Sequence, residues 1–205
     1  MNPKTIIYIH GFNSASRDLN GNLLTNKQKL AVMDAFCTAK DIPFDSPNID
    51  YRDFQNIVED LLIQYNEYLD LGREVIFMGS SMGGFTSEYL AMKTGCKAIM
   101  INPAIYPSQL LPQFIGVTEN FETGQPYQWD SGHCEQYLRY EQELAASRRR
   151  LDLTLLLDLG DELLDARQTL EKYQAIAKIQ AFDGGSHSFD HIEAALPLIE
   201  QVLSD

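Results

Sequence analysis

Short apolar, β-rich runs alternate with helix-period segments along almost the whole of this 205-residue chain. That alternation restricts it to a mostly parallel sheet with helices on its faces, the α/β class. Thr5–Ile9 reads as the first strand, and Asn22–Lys40 as a helix with Leu23, Leu30, Met33 and Phe36 among its apolar positions. Ile42–Ile49 holds a second strand, which Pro43 and Pro47 confine to the sheet edge. From Phe54 to Leu71, apolar residues such as Phe54, Ile57, Val58, Leu61 and Tyr65 fall on one helical face. Glu74–Met78 and Lys97–Ile101 are buried strands, separated by a helix over Gly83–Lys93. The pattern then breaks over residues 104–150, rich in proline, glycine and aromatic residues. It resumes with strands at Leu153–Leu157 and Lys178–Phe182, and helices at Ala166–Ala175 and Asp190–Leu203. With no repeat or linker, residues 1–205 read as one domain carrying one insertion.

Composition narrows the partners. A net charge of −13 would repel nucleic-acid phosphates and disfavours anionic membranes. No apolar run approaches the ~20 residues that span a bilayer, and the stretch after Met1-Asn2-Pro3-Lys4 is too short for a signal-peptide core. Cys37, Cys96 and Cys134 are odd in number and far apart, which argues against a disulfide framework or a zinc cluster. The expectation is a cytoplasmic protein that uses no metal and no organic cofactor.

The chemistry is concentrated at strand ends. Gly79-Ser80-Ser81-Met82-Gly83 is a G-x-S-x-G at a strand-to-helix junction, a strained turn that presents its serine to solvent. The two glycines serve the close approach of strand and helix. A serine hydroxyl is a poor nucleophile unless an imidazole takes its proton and a carboxylate orients the imidazole. Both are available, in the order Ser, acid, His, each in a loop after a strand. His187 follows Gly184-Gly185-Ser186, and the acid is drawn from Asp158, Asp161, Glu162 and Asp165. Asp161, just past Gly160, is favoured; Asp158 lies at the strand end and Asp165 reads as a helix cap. His191, four residues after His187, is expected to face solvent on the final helix; no third ligand accompanies the pair to make a metal site.

An oxyanion needs two backbone donors, one from the residue after the nucleophile and one from the loop after the first strand. Met82 and Phe12 are the candidates, and His10 reads as a structural hydrogen-bonding residue. The 104–150 segment leaves the side of the sheet where the site must be, and Leu110, Leu111 and Phe114 would form either the underside of a cap or a satellite core. Arg148-Arg149-Arg150 follows a helix over Glu141–Ser147 and reads as solvated surface, with a phosphate-bearing substrate such as an acyl-CoA as the functional alternative.

Together, Tyr8-Ile9-His10-Gly11-Phe12-Asn13-Ser14, Gly79-Ser80-Ser81-Met82-Gly83-Gly84-Phe85, Ile101-Asn102-Pro103-Ala104, Gly160-Asp161-Glu162 and Gly185-Ser186-His187 resemble the YqiA-like esterase family of small bacterial α/β-hydrolases. The resemblance runs over nearly the full length, excepting 104–150. It implies a compact α/β-hydrolase fold, with Ser81 as nucleophile, Asp161 as acid and His187 as base. It also implies hydrolysis of acyl esters or thioesters through an acyl-enzyme. An acyl-CoA thioesterase or acyltransferase, and a hydrolase-fold protein that only binds, are the alternatives. The implied partner is a small acyl ester or thioester.

Overall fold

The computed structural model describes residues 3–147 and 149–205; Met1, Asn2 and Arg148 lie outside it. In chain order it runs β1 (Lys4–Ile9), α1 (Gln28–Ala39), β2 (Phe44–Asp45), α2 (Phe54–Asp70), β3 (Glu74–Ser80), α3 (Met82–Thr94) and β4 (Lys97–Ile101). There follow α4 (Pro107–Leu110), a 3₁₀ turn (Leu111–Phe114), β5 (Gly116–Glu119), β6 (Pro126–Trp129) and α5 (Ser131–Ala146). The chain ends with β7 (Leu153–Asp158), α6 (Ala166–Tyr173), β8 (Ala177–Phe182) and α7 (Ile192–Ser204).

Six strands form one sheet in the order β2-β1-β3-β4-β7-β8, every pairing parallel. β2 sits at the edge, a two-residue strand flanked by Pro43 and Pro47. Parallel strands are buried on both faces, which is why β1, β3, β4 and β7 are near-continuous apolar runs rather than alternating ones. In register, Ile7, Phe77, Ala98 and Leu153 form one row and therefore share a face. Helices α2, α3, α5 and α6 cover that face, and α1 and α7 cover the other, with Leu30, Met33, Ile192 and Ile199 packed on Ile6, Ile76 and Ile99.

Residues 104–147 are organised into α4, the 3₁₀ turn, the antiparallel β5–β6 pair and α5. Asp130 and His133 form a reciprocal cap that starts α5. Tyr137 and Tyr140 of that helix pack their rings on Phe54 at 5.2 and 4.6 Å, so α5 joins the main core beside α2 and α3. Trp129 is fully buried, its indole N–H directed to the Leu111 carbonyl at 3.3 Å. The first helix begins at Gln28, later than the apolar spacing suggests. Residues 18–27 are held by local turns instead, in which Asp18 accepts from the Asn20 and Asn22 amides. Among the described residues no helix is long and apolar enough to cross a membrane.

The sheet order fixes where a ligand can sit. After β1 the chain steps outward to β2, then returns to the other side of β1 for β3. The loops after β1 and β3 therefore diverge, opening a crevice at the carboxyl ends of these two strands.

Candidate active site

Ser81 occupies the turn between β3 and α3 with φ +57° and ψ −120°, a backbone conformation that a non-glycine residue adopts only under constraint. The surroundings supply the constraint. The Ser81 N–H donates to the Ile101 carbonyl at 3.0 Å, and the Ser81 carbonyl accepts from Ala104 N–H at 3.0 Å. A Cβ at Gly79 would strike the Gly83 carbonyl, and one at Gly83 would strike the Ile9 carbonyl. Strand and helix approach so closely here that only glycine fits on either side of the serine.

His187 lies in the loop after β8 and lines the same cavity as Ser81. Its Nδ1 is 2.8 Å from Asp161 Oδ2, and its backbone N–H donates to Glu162 Oε2 at 3.0 Å. Asp161 is almost fully buried, and its other oxygen accepts from the Leu163 and Leu164 amides, each at 2.9 Å. Burial alone would push the Asp161 carboxyl up. The His187 hydrogen bond and charge and the two amides outweigh it, so the carboxyl is held below its ordinary range. This leaves Nε2 of His187 available to a group in the cavity.

Asp158 and His191 are brought together as a second carboxylate–imidazole pair, His191 Nδ1 lying 2.7 Å from Asp158 Oδ1. His191, expected on the final helix facing solvent, directly precedes α7 with its side chain 33% exposed and otherwise packed. Its ring stacks on Phe182 at 4.8 Å, and its partner Asp158 is fully buried. The second oxygen of Asp158 accepts from Ser186 and Asp190 N–H at 3.2 and 2.8 Å, bracing the His187 loop. Neither Asp158 nor His191 lines the cavity. Asp165 caps α6, accepting from Arg167 and Gln168 amides.

The loop after β1 passes over the nucleophile: a Cβ built on Gly11 would lie 3.7 Å from Ser81 Oγ. Phe12 follows, and neither its N–H nor that of Met82 is hydrogen-bonded to another of the described residues. His10 is structural in its contacts. Its Nε2 accepts from Ile49 N–H at 2.8 Å, and its Nδ1 lies 2.8 Å from the Gly11 carbonyl. Desolvation, with a smaller push from Lys27, lowers its pKa to about 4 against the raising effect of the Gly11 carbonyl, which fixes it as neutral imidazole.

Asn102 has a part the sequence disclosed only as a motif letter. At the end of β4, with φ +39°, its side-chain N–H groups donate to the Ser186 and His187 carbonyls at 2.9 and 3.3 Å. Its Oδ1 accepts from Asp158 N–H at 2.9 Å. One amide thus joins the ends of β4 and β7 to the histidine loop.

The cavity has a volume of about 680 Å³. Leu110, Leu111, Phe114 and Phe121 of the 104–150 segment line it, and Leu111 also packs in the main core rather than in a satellite one. The β5–β6 loop is bound to the loop after β1: Phe121 N–H donates to the Asn13 carbonyl at 3.0 Å and Asn120 to the Ser14 carbonyl at 3.0 Å. The Arg149 guanidinium donates to the Met92 carbonyl at 2.8 Å, in the last turn of α3 and so at the opposite end of that helix from Ser81. It is a helix-end contact and does not serve the cavity; Arg148 lies outside the described residues.

The fold is shared with many solved structures. One is a protein of Agrobacterium vitis S4, 16% identical with a TM-score of 0.73 over 98% of this chain and 88% of that one. Another is Est1E from Butyrivibrio proteoclasticus, 16% identical, TM-score 0.67, covering 100% of this chain and 90% of that one. A third is the esterase Pf2001 of Pyrococcus furiosus, 11% identical, TM-score 0.65, covering 99% and 81%. At these identities the likeness is one of fold, the α/β-hydrolase fold. The sequence model described as "Uncharacterised protein family (UPF0227)" matches residues 5–204, nearly the whole chain, and the protein belongs to that YqiA-like family.

Proposed function

We propose that the protein is a serine hydrolase that cleaves carboxylic esters or acyl thioesters, with Ser81 as nucleophile, His187 as general base and acid, and Asp161 as the orienting carboxylate. The observation that carries this reading is the state of His187. It is tied through Nδ1 to a buried carboxylate at 2.8 Å and lines the same cavity as Ser81. In the proposed cycle, His187 Nε2 takes the Ser81 proton as Oγ attacks the acyl carbonyl. The N–H groups of Phe12 and Met82 receive the negative charge that develops on the carbonyl oxygen. The imidazolium then protonates the departing alkoxide or thiolate. Water, deprotonated by the same imidazole, cleaves the acyl-enzyme to the free acid and regenerates Ser81.

The likeness to the Pyrococcus furiosus protein, which is named an esterase, supports the same chemistry. The apolar walls contributed by Leu110, Leu111 and Phe114 suit an acyl chain. The test is hydrolysis of p-nitrophenyl butyrate by the wild type and by Ser81→Ala. Turnover by the wild type that falls to background in the variant is the expected result. Equal turnover by both proteins would remove Ser81 from the reaction.

A further inference from the structure

The cavity of this acidic protein is lined by a lysine, Lys29, that forms no direct ion pair among the described residues. Lys27 lines it too, and both lie at the start of α1. Lys27 is already engaged: its Nζ lies 2.7 Å from Glu122 Oε1 and donates to Ser14 Oγ and the Ala15 carbonyl at 2.6 and 2.9 Å. Lys29 forms no ion pair among the described residues. Its one hydrogen bond, at 2.8 Å, goes to the neutral hydroxyl of Ser80. An ammonium carries three donors, so two are left for a ligand.

Its position matters as much as its charge. Ser80 immediately precedes Ser81, and consecutive Cα atoms are about 3.8 Å apart. Ser80 and Ser81 both line the cavity, so the ammonium is anchored on the residue that precedes the reacting serine. The first turn of α1 lines the same wall with no side-chain cap, adding the positive end of the helix dipole. Desolvation and then Lys27 draw the Lys29 ammonium down to about 8, opposed by Asp158, Asp161 and Asp190, so it remains charged at neutral pH. A half-buried charge without a direct ion-pair partner is unfavourable, and an anionic ligand would relieve it.

We infer that Lys29 is a specificity residue that binds a carboxylate carried by the substrate, a few bonds from the scissile carbonyl. This rests on the proposed hydrolytic role of Ser81. The substrate class then becomes an anionic ester or thioester, with its charge at Lys29 and its apolar part against Leu110, Leu111 and Phe114. The carboxylate can belong to the acyl arm or to the leaving group.

Two ester pairs separate these sources. The acyl arm is probed with the p-nitrophenyl monoester of adipic acid against p-nitrophenyl hexanoate. The leaving group is probed with 4-(hexanoyloxy)benzoate against its methyl ester. In one pair, Lys29→Met should lower the ratio of kcat/KM for the anionic over the neutral ester by about tenfold or more, chiefly through KM, and Lys29→Arg should restore it. The responsive pair identifies the arm. A role in positioning Ser81 through Ser80 would change both members of a pair alike, leave both ratios fixed, and overturn the assignment. Ser81-dependent turnover with such fixed ratios leaves the hydrolase reading standing. If no ester is turned over, calorimetric titration of the folded protein with adipate decides. Binding lost in Lys29→Met and kept in Lys29→Arg upholds the anion site without hydrolysis. No binding to the wild type overturns both readings.

Discussion

Two buried aspartates, Asp161 and Asp158, each hold a histidine through Nδ1, at 2.8 and 2.7 Å, yet only His187 reaches the cavity. Asp161→Asn is expected to lower kcat on a p-nitrophenyl ester by roughly 10³–10⁴, by favouring the wrong His187 tautomer, with the fold intact. Asp158→Asn disturbs a brace that serves Ser186, Asp190 and His191, so the expected loss is in stability, about 1–3 kcal/mol in a urea titration. Equal effects of the two substitutions on kcat would refute the division of labour. The sequence leaves the acid open because two aspartates three residues apart face two histidines four residues apart. Which histidine each aspartate meets is set by backbone contacts that letters do not display. Gly160 N–H donates to the Gly184 carbonyl at 2.7 Å, and Gly185, at φ +73°, lies so close against the Asp158 carboxylate that a Cβ would collide with it.

His10 carries a pH prediction at the same scale. Its folded pKa, about 4, lies below the ordinary histidine value of 6.5, so unfolding takes up a proton as the pH falls between them. The stability contributed by neutral His10 is fully present above about pH 6.5 and is lost as the pH drops through about 4, a change on the order of 3 kcal/mol. Urea titrations at pH 7 and pH 4.5 measure it. His10→Gln should start less stable and show a smaller difference between the two pH values, whereas an unchanged difference would remove His10 as its source.

Among the elements, the β3–α3 turn has the least tolerance. Gly83→Ala places a methyl group inside the Ile9 carbonyl contact, where backbone faces backbone and no side chain can rotate away. The expected outcome is a loss of about 3 kcal/mol or more, or failure to accumulate as folded protein, read by circular dichroism and thermal melting. A normal melt would mean that strand and helix are further apart than described. This turn was legible because its sterics admit almost no other residues. α2 was legible because one face is continuously apolar. The extent of α5 was not, since Tyr137 and Tyr140 become core residues only through Phe54, more than 80 positions away in the chain. Lys29 carried no sequence signal either, because its meaning depends on Ser80 and on Glu122 being taken by Lys27.

At the scale of the molecule, the parallel sheet gathers the site without any one segment containing it. Phe12 follows β1, Ser81 follows β3, Asn102 follows β4, Asp161 follows β7 and His187 follows β8. All lie at carboxyl ends, around the crevice that the β2-β1-β3 order opens. The alternation of elements carried that arrangement in outline, since five strand ends in one parallel sheet point the same way. Labelling of the folded protein with a fluorophosphonate, followed by peptide mapping, asks whether Ser81 is the nucleophile. A single adduct is expected, on Ser81, and it is lost in His187→Ala. An adduct on Ser80, or no adduct on a folded wild type, would contradict that role for Ser81.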